Sequence, residues 1–317
     1  MAQKTRILFA TDLHGSTRTF RKYLNALNIY KADVGIIGGD LTGKLVVPII
    51  KQTDGTSIAE FNGLKYNINS EDSMTDVMQT MESCGYYWFQ GTLEEVEKLG
   101  SDRDASERMF ETLTSQRLES WCQYAKTRLK DSPIKVYITG GNDDFFAIDD
   151  TLVKSDTLLF TESKLEHLVG DHEMISTGYS NITPWKCPRD VTEEVLYSKL
   201  DDMAKRVSDL KSAIFNIHVP PHGTTLDVCT KLDTSVDPPR PIPGVEDSVG
   251  STAVRDIIAK YQPLVSFHGH IHESRGIDRI GRTTCFNPGS EYTEGMLRSV
   301  AVNLEKEKVS SYQFLSG

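Results

Sequence analysis

Residues 5–40 read TRILFATDLHGSTRTFRKYLNALNIYKADVGIIGGD. Thr5 to Ala10 is an apolar run that stops at Thr11-Asp12-Leu13-His14-Gly15-Ser16. Phe20, Tyr23, Leu24 and Leu27 then recur at helical spacing, with Ser16 or Thr17 placed to cap the helix. A second apolar run, Val34-Gly35-Ile36-Ile37, stops at Gly38-Gly39-Asp40. Strand, helix, strand is a βαβ unit. It predicts an α/β fold with a buried, largely parallel sheet, whose chemistry lies beyond the carboxyl ends of the strands.

The same punctuation recurs down the chain. The run Ile134 to Thr139 ends at Gly140-Gly141-Asn142-Asp143-Asp144. Ala213 to Ile217 ends at His218-Val219-Pro220-Pro221-His222. Pro263 to Phe267 ends at His268-Gly269-His270-Ile271-His272. Each motif alone is weak, since an Asp-x-His or a Gly-Asp is common by chance. The signal is repetition: five strand ends deliver Asp12 with His14, Asp40, Asn142, His218, and His270 with His272. Carboxylate, imidazole and amide donors together suit divalent manganese, iron or zinc. They outnumber the ligands of one tetrahedral ion, and two ions sharing a bridging carboxylate would use them all. His268 reads as an outer contact that orients a ligand rather than as a ligand.

Residues 44–131 break the rhythm. A short β-like stretch, Ala59 to Asn67, leads into helical material: Thr92-Leu93-Glu94-Glu95 fits a capping box, and a long helix ends near Lys130. The chain reads as a single domain, 1–317, with a helical insertion at roughly 44–131 that either caps the site or forms an outer layer. Residues 233–250, rich in Pro, Asp and Gly, read as a long loop. His167 and His172 fall outside the pattern and read as surface residues, and Trp185 as a packing residue.

The net charge of -10, from 35 basic and 45 acidic residues, disfavours a long nucleic acid or a membrane surface as partner. It allows a small anionic substrate, because bound cations supply positive charge locally. Five scattered cysteines without a CxxC pair argue against a disulfide framework or a zinc ribbon. No apolar run approaches the ~20 residues of a membrane span, and the N-terminus has no signal-peptide core. A cytoplasmic protein is the expectation; the oligomeric state is open.

The order Asp12-Leu13-His14, Gly39-Asp40, Gly141-Asn142, His218 and Gly269-His270-Ile271-His272 resembles the calcineurin-like metallophosphoesterase superfamily. The resemblance implies a four-layer αββα sandwich with two mixed β-sheets. It implies two divalent ions: Asp12, His14 and His272 would bind one, Asn142, His218 and His270 the other, and Asp40 both. It implies hydrolysis of a phosphoester by attack of a hydroxide bridging those ions, and it gives the turn at Asn287 a place beside the ligands. One position departs. A histidine usually follows the Gly-Asn, and here Asp143 stands in its place. A carboxylate there repels phosphate and donates a proton poorly. Asp143 therefore binds a metal or holds another residue, or His222 supplies the missing imidazole, or catalysis is impaired. The leading expectation is a metal-dependent phosphodiesterase in preference to a phosphatase acting on monoesters. The competing one is a catalytically impaired metal-binding scaffold of the same fold.

Overall fold

The computed structural model describes residues 4–317. The first βαβ unit forms as its pattern predicts: strands Thr5–Ala10 and Val34–Ile37 are parallel and joined by helix Thr17–Ile29. Ser16 caps that helix, its hydroxyl accepting from the Thr19 amide. Lys135–Ile138 and Leu158–Phe160 extend the sheet in parallel, and Arg298–Glu305 and Lys308–Ser316 close its other edge antiparallel. A second six-stranded sheet is also parallel at its centre. Its parallel centre is His172–Thr177, Ile214–Ile217, Val265–Phe267 and Thr283–Asn287, and its antiparallel edges are Leu165–Leu168 and Gly276–Ile280. Both sheets are mixed: the first is antiparallel at one rim and parallel out to Leu158–Phe160 at the other, and the second is antiparallel at both rims.

Strand alternation sorts the side chains into layers. Ile7 and Phe9 point into a core shared by the two sheets, where Phe9 stacks on Phe267 with centroids 4.7 Å apart. Leu8 and Ala10 face the other way, into a core with Phe20, Leu24, Trp121 and Ile148 from the helices. The second sheet buries Ile175, Phe215 and Ile217 against helices Glu193–Ala204 and Thr252–Tyr261. The result is helix, sheet, sheet, helix: the four-layer sandwich.

The segment expected as a helical insertion is not purely helical. It contains a four-stranded sheet, ordered Leu64–Ile68, Ser57–Phe61, Val46–Lys51 and Tyr87–Gly91, as well as helices Glu71–Ser83, Leu93–Ser101 and Arg103–Arg128. This small sheet packs its own core of Val47, Ile49, Phe61 and Met81. Its strands are short and partly exposed, so their period is faint. The capping box at Thr92 and Glu95 is present. The long helix ties the insertion down: Trp121 stacks on Phe20 at 4.3 Å, and Arg117 donates to the carbonyls of Gly15 (2.6 Å) and Tyr86 (3.1 Å).

Three other expectations need correction. Residues 233–250 are not simply a loop, because Arg240–Ser248 pairs with Val228–Asp233 as an exposed antiparallel ribbon. A lone ribbon has no buried face to impose alternation, and it tolerates Pro241 and Pro243 as an edge does. His172 is buried, its Nδ1 against the Ser212 carbonyl at 2.8 Å. Trp185 is 62% exposed and packs little. Among the described residues no helix is long and apolar enough to cross a membrane.

Candidate metal centre

The strand-end loops of both sheets converge. Asp12, His14, Asp40 and His272 bring ligand atoms within 4.8 Å of one another, and Asp40, His218 and His270 do the same. Asp40 belongs to both groups. His14 Nε2 lies 3.5 Å from Asp40 Oδ2, and His218 Nε2 lies 3.3 Å from Asp40 Oδ1. His272 Nε2 is 3.4 Å from Asp12 Oδ1. Asn142 joins the second group, with Oδ1 2.8 Å from His270 Nδ1. Its amide is oriented by Asp190, which accepts from Nδ2 at 3.1 Å and so turns Oδ1 toward the imidazoles.

Close approach explains the glycines in these motifs. A Cβ at Gly269 would overlap the Asp12 carboxylate, and one at Gly141 would overlap the Asp40 carboxylate and amide. The loops are also strained. Asp12, His14, Asp40 and His270 have φ of 54°, 40°, 49° and 67°, a region non-glycine residues seldom enter. Such strain persists only where the surroundings over-determine it, and it concentrates at functional sites.

Several contacts hold the cluster from outside. Asp144 is fully buried and accepts from Leu41 N, Thr42 N, Thr42 Oγ1 and Gly141 N at 2.7–2.9 Å, clamping the Asp40 loop to the Asn142 loop. Burial and the neighbouring Asp40 push its carboxyl up to about 6. Asn287 donates to the carbonyls of Ile271 (2.9 Å) and Gly269 (3.3 Å), pinning the histidine loop. His268 is buried with Nδ1 against the carbonyls of Ile217 and Val219.

The donor chemistry fits divalent metal ions. His218 Nδ1 faces the Gly38 carbonyl at 3.0 Å, and His14 Nδ1 faces that of Thr42 at 3.2 Å. In each neutral ring the Nδ1–H then donates to the carbonyl, which leaves Nε2 with a lone pair directed at the carboxylates. His218 Nε2 is buried and has no hydrogen-bond partner. Nε2 of His14 and Nε2 of His272 face each other at 3.1 Å, an arrangement suited to a shared positive charge. Burial disfavours protonation and lowers His14 and His270 to about 4. At His218 burial is outweighed by Asp40 and Asp12, which push it up to about 10. The nest of carboxylates therefore attracts a cation, proton or metal.

Lys44 was missed in the sequence. Its ammonium pairs with the Asp143 carboxylate at the edge of the cluster. Burial opposes that charge, but Asp143 and Asp40 outweigh it and hold Lys44 above its ordinary range. Asp143 also accepts from Cys187 Sγ at 2.8 Å, while its amide donates to Asp40 Oδ1 at 3.1 Å. Asp143 thus holds another residue, one of the alternatives its chemistry left open. Tyr292 is a second omission, its ring 4.6 Å from that of His14. A lone lysine and a lone tyrosine carried no pattern. His222 goes elsewhere: its Nδ1 faces Asp227 at 3.5 Å, its amide donates to Ser251, and no hydrogen bond joins it to the cluster among the described residues.

No protein-family model matches the chain. A stretch of 116 residues is 37% identical to the uncharacterized protein MJ1162 of Methanocaldococcus jannaschii, covering 36% of this chain and 46% of that protein. The match therefore spans less than half of that relative. Among solved structures, TT1561 of Thermus thermophilus has a TM-score of 0.56 at 11% identity over 99% of both chains. Another crystal structure has a TM-score of 0.59 at 13% identity over 99% of both. These likenesses concern the fold over its whole length. With two facing mixed sheets and the metal-type loops gathered where their parallel strands end, the chain shares the four-layer αββα fold of these two structures.

Proposed function

We propose that this chain is a two-metal phosphoesterase acting on small phosphodiesters, with Asp12, His14 and His272 holding one ion and Asn142, His218 and His270 the other. The observation that supports it most is the sharing of Asp40 between two clusters of metal-type ligands. Two divalent ions held there would neutralise phosphoryl charge and lower the pKa of water at the site. The protein's own contribution is positioning. The Gly38 and Thr42 carbonyls fix the tautomers of His218 and His14, Asp190 aims the Asn142 amide, and Asp144 locks the two loops.

Lys44 answers the difficulty raised by Asp143. The carboxylate that would repel phosphate is balanced by an ammonium beside it. A lysine held above its ordinary range supplies charge, not a proton, so substrates with good leaving groups are favoured. The diester preference rests on a different observation. The buried arginines near the site are committed, Arg117 to backbone carbonyls and Arg189 to Asp149. Neither is free to form the bidentate contact suited to a phosphate dianion. The ions are manganese, iron or zinc by donor type, and the protein works in the cytoplasm on small molecules without nucleic acid or membrane.

Hydrolysis of bis(p-nitrophenyl) phosphate beside p-nitrophenyl phosphate tests this reading, using metal-stripped protein with and without manganese and an Asn142→Ala control. Turnover that needs manganese and Asn142, and is faster on the diester, supports it. No turnover in folded, manganese-loaded protein refutes the enzyme and favours the scaffold; equal or faster monoester turnover refutes the diester preference.

A further inference from the structure

A cavity of about 520 Å³ opens beside Lys44, between the insertion and the main domain. That is within the size range of small-molecule sites. Its walls are apolar: Val46, Pro48 and Phe89 from the insertion's sheet, Leu99 and Phe110 from its helices, and Phe145 from the loop after Asn142. The three aromatic rings are only partly buried by the protein itself. Phe110 meets Phe145 edge to face at 5.7 Å and Tyr87 at 5.6 Å, so the wall is a built surface with fixed rings.

Lys44 links the cavity to the cluster. That side chain lines the cavity and pairs with Asp143, whose amide bonds Asp40. Gly43 is fixed by its amide donating to Tyr87 Oη at 2.9 Å, which ties the pocket wall to the Asp40 loop. A phosphoryl group at the cluster would place one of its ester substituents beside Lys44, at the mouth of an apolar chamber. Among the described residues, Lys44 and Glu107 are the charged groups that line it.

We propose that the insertion builds a substrate-binding pocket for an apolar ester substituent, and that the substrate is a phosphodiester of a hydrocarbon-bearing alcohol. This rests on the phosphoesterase reading, which fixes where the phosphate sits. The insertion then sets specificity, and Lys44 marks the border between the charged and apolar halves of the site. Each methylene buried in such a chamber strengthens binding by up to about fourfold, until the chamber is full.

The test measures binding separately from turnover. Methyl-, butyl- and octylphosphonate are titrated calorimetrically into manganese-loaded protein, and hydrolysis of methyl p-nitrophenyl phosphate is assayed in parallel. Leu99→Glu, at the half-exposed rim of the chamber, is the variant. The expected result is octylphosphonate binding at least tenfold tighter than methylphosphonate. Leu99→Glu should abolish that gain. Affinity independent of chain length, in protein that hydrolyses the methyl ester, overturns the pocket and keeps the phosphoesterase. A chain-length gain that Leu99→Glu removes, without any turnover, keeps the pocket and overturns the phosphoesterase. A gain that survives Leu99→Glu overturns the assignment to this chamber.

Discussion

Asp144→Asn separates the fold's support of the site from the ligands themselves. The carboxylate accepts four hydrogen bonds, two on each oxygen: Thr42 N and Oγ1 on Oδ1, Leu41 N and Gly141 N on Oδ2. An asparagine can keep only one acceptor oxygen. The least costly arrangement turns its NH₂ toward Thr42, whose hydroxyl can rotate to accept, and leaves the Thr42 amide unpaired. One buried orphaned amide costs about 1–3 kcal/mol, and each of the two remaining bonds loses roughly 1 kcal/mol when its acceptor is no longer charged. Removing a carboxylate that burial and Asp40 already push up to about 6 offsets part of this. The net is a destabilisation of about 2–4 kcal/mol, or a Tm lower by about 3–6 °C for a chain of this size. Because Leu41 and Gly141 flank Asp40 and Asn142, metal affinity should also fall, by about 10- to 100-fold. Thermal unfolding followed by circular dichroism, with a manganese competition titration, reads both; Asp150→Asn, at an exposed position, is the control. A Tm within 1 °C of the parent and unchanged metal affinity would refute the reasoning.

Three further outcomes follow from the same geometry. Lys44→Met removes the partner of Asp143 and should lower kcat/KM on a phosphodiester by roughly 10²-fold, the scale of one lost electrostatic contact, with metal content unchanged by elemental analysis. Gly269→Ala drives a methyl group into the Asp12 carboxylate, so the folded variant should bind less metal and lose hydrolysis, whereas Gly55→Ala, in an open turn, should alter neither. His222→Ala should leave kcat/KM within about twofold, because its imidazole faces Asp227 outside the cluster; a loss of tenfold or more would return His222 to the catalytic machinery.

The legible part of this protein is the part where two signals coincide. The apolar runs before Asp12, Asp40, Asn142, His218 and His268 marked buried parallel strands, and ligand-type residues followed each run. Parallel central strands are buried on both faces, so they read as continuous apolar stretches with sharp ends. The exposed ribbon at Val228–Asp233 and Arg240–Ser248 has no buried face and so left no alternation. The insertion's sheet is too short and too exposed for a clear period. Lys44 was invisible for another reason. Its meaning comes from Asp143, far along the chain, and from a turn that only the folded insertion creates. Phe89, Phe110 and Phe145 are apolar residues like any others in the sequence; only their incomplete burial around one cavity separates them from core.

The central claim is a metal centre with Asp40 at its middle, and metal stoichiometry tests it most directly. Equilibrium dialysis against manganese, followed by elemental analysis, would be run on the parent, Asn142→Ala and Asp40→Ala proteins, with folding checked by circular dichroism. The account predicts two ions per chain in the parent, one in Asn142→Ala, and fewer than one in Asp40→Ala. A folded parent that binds no ion, or an Asp40→Ala variant that still binds two, would contradict it.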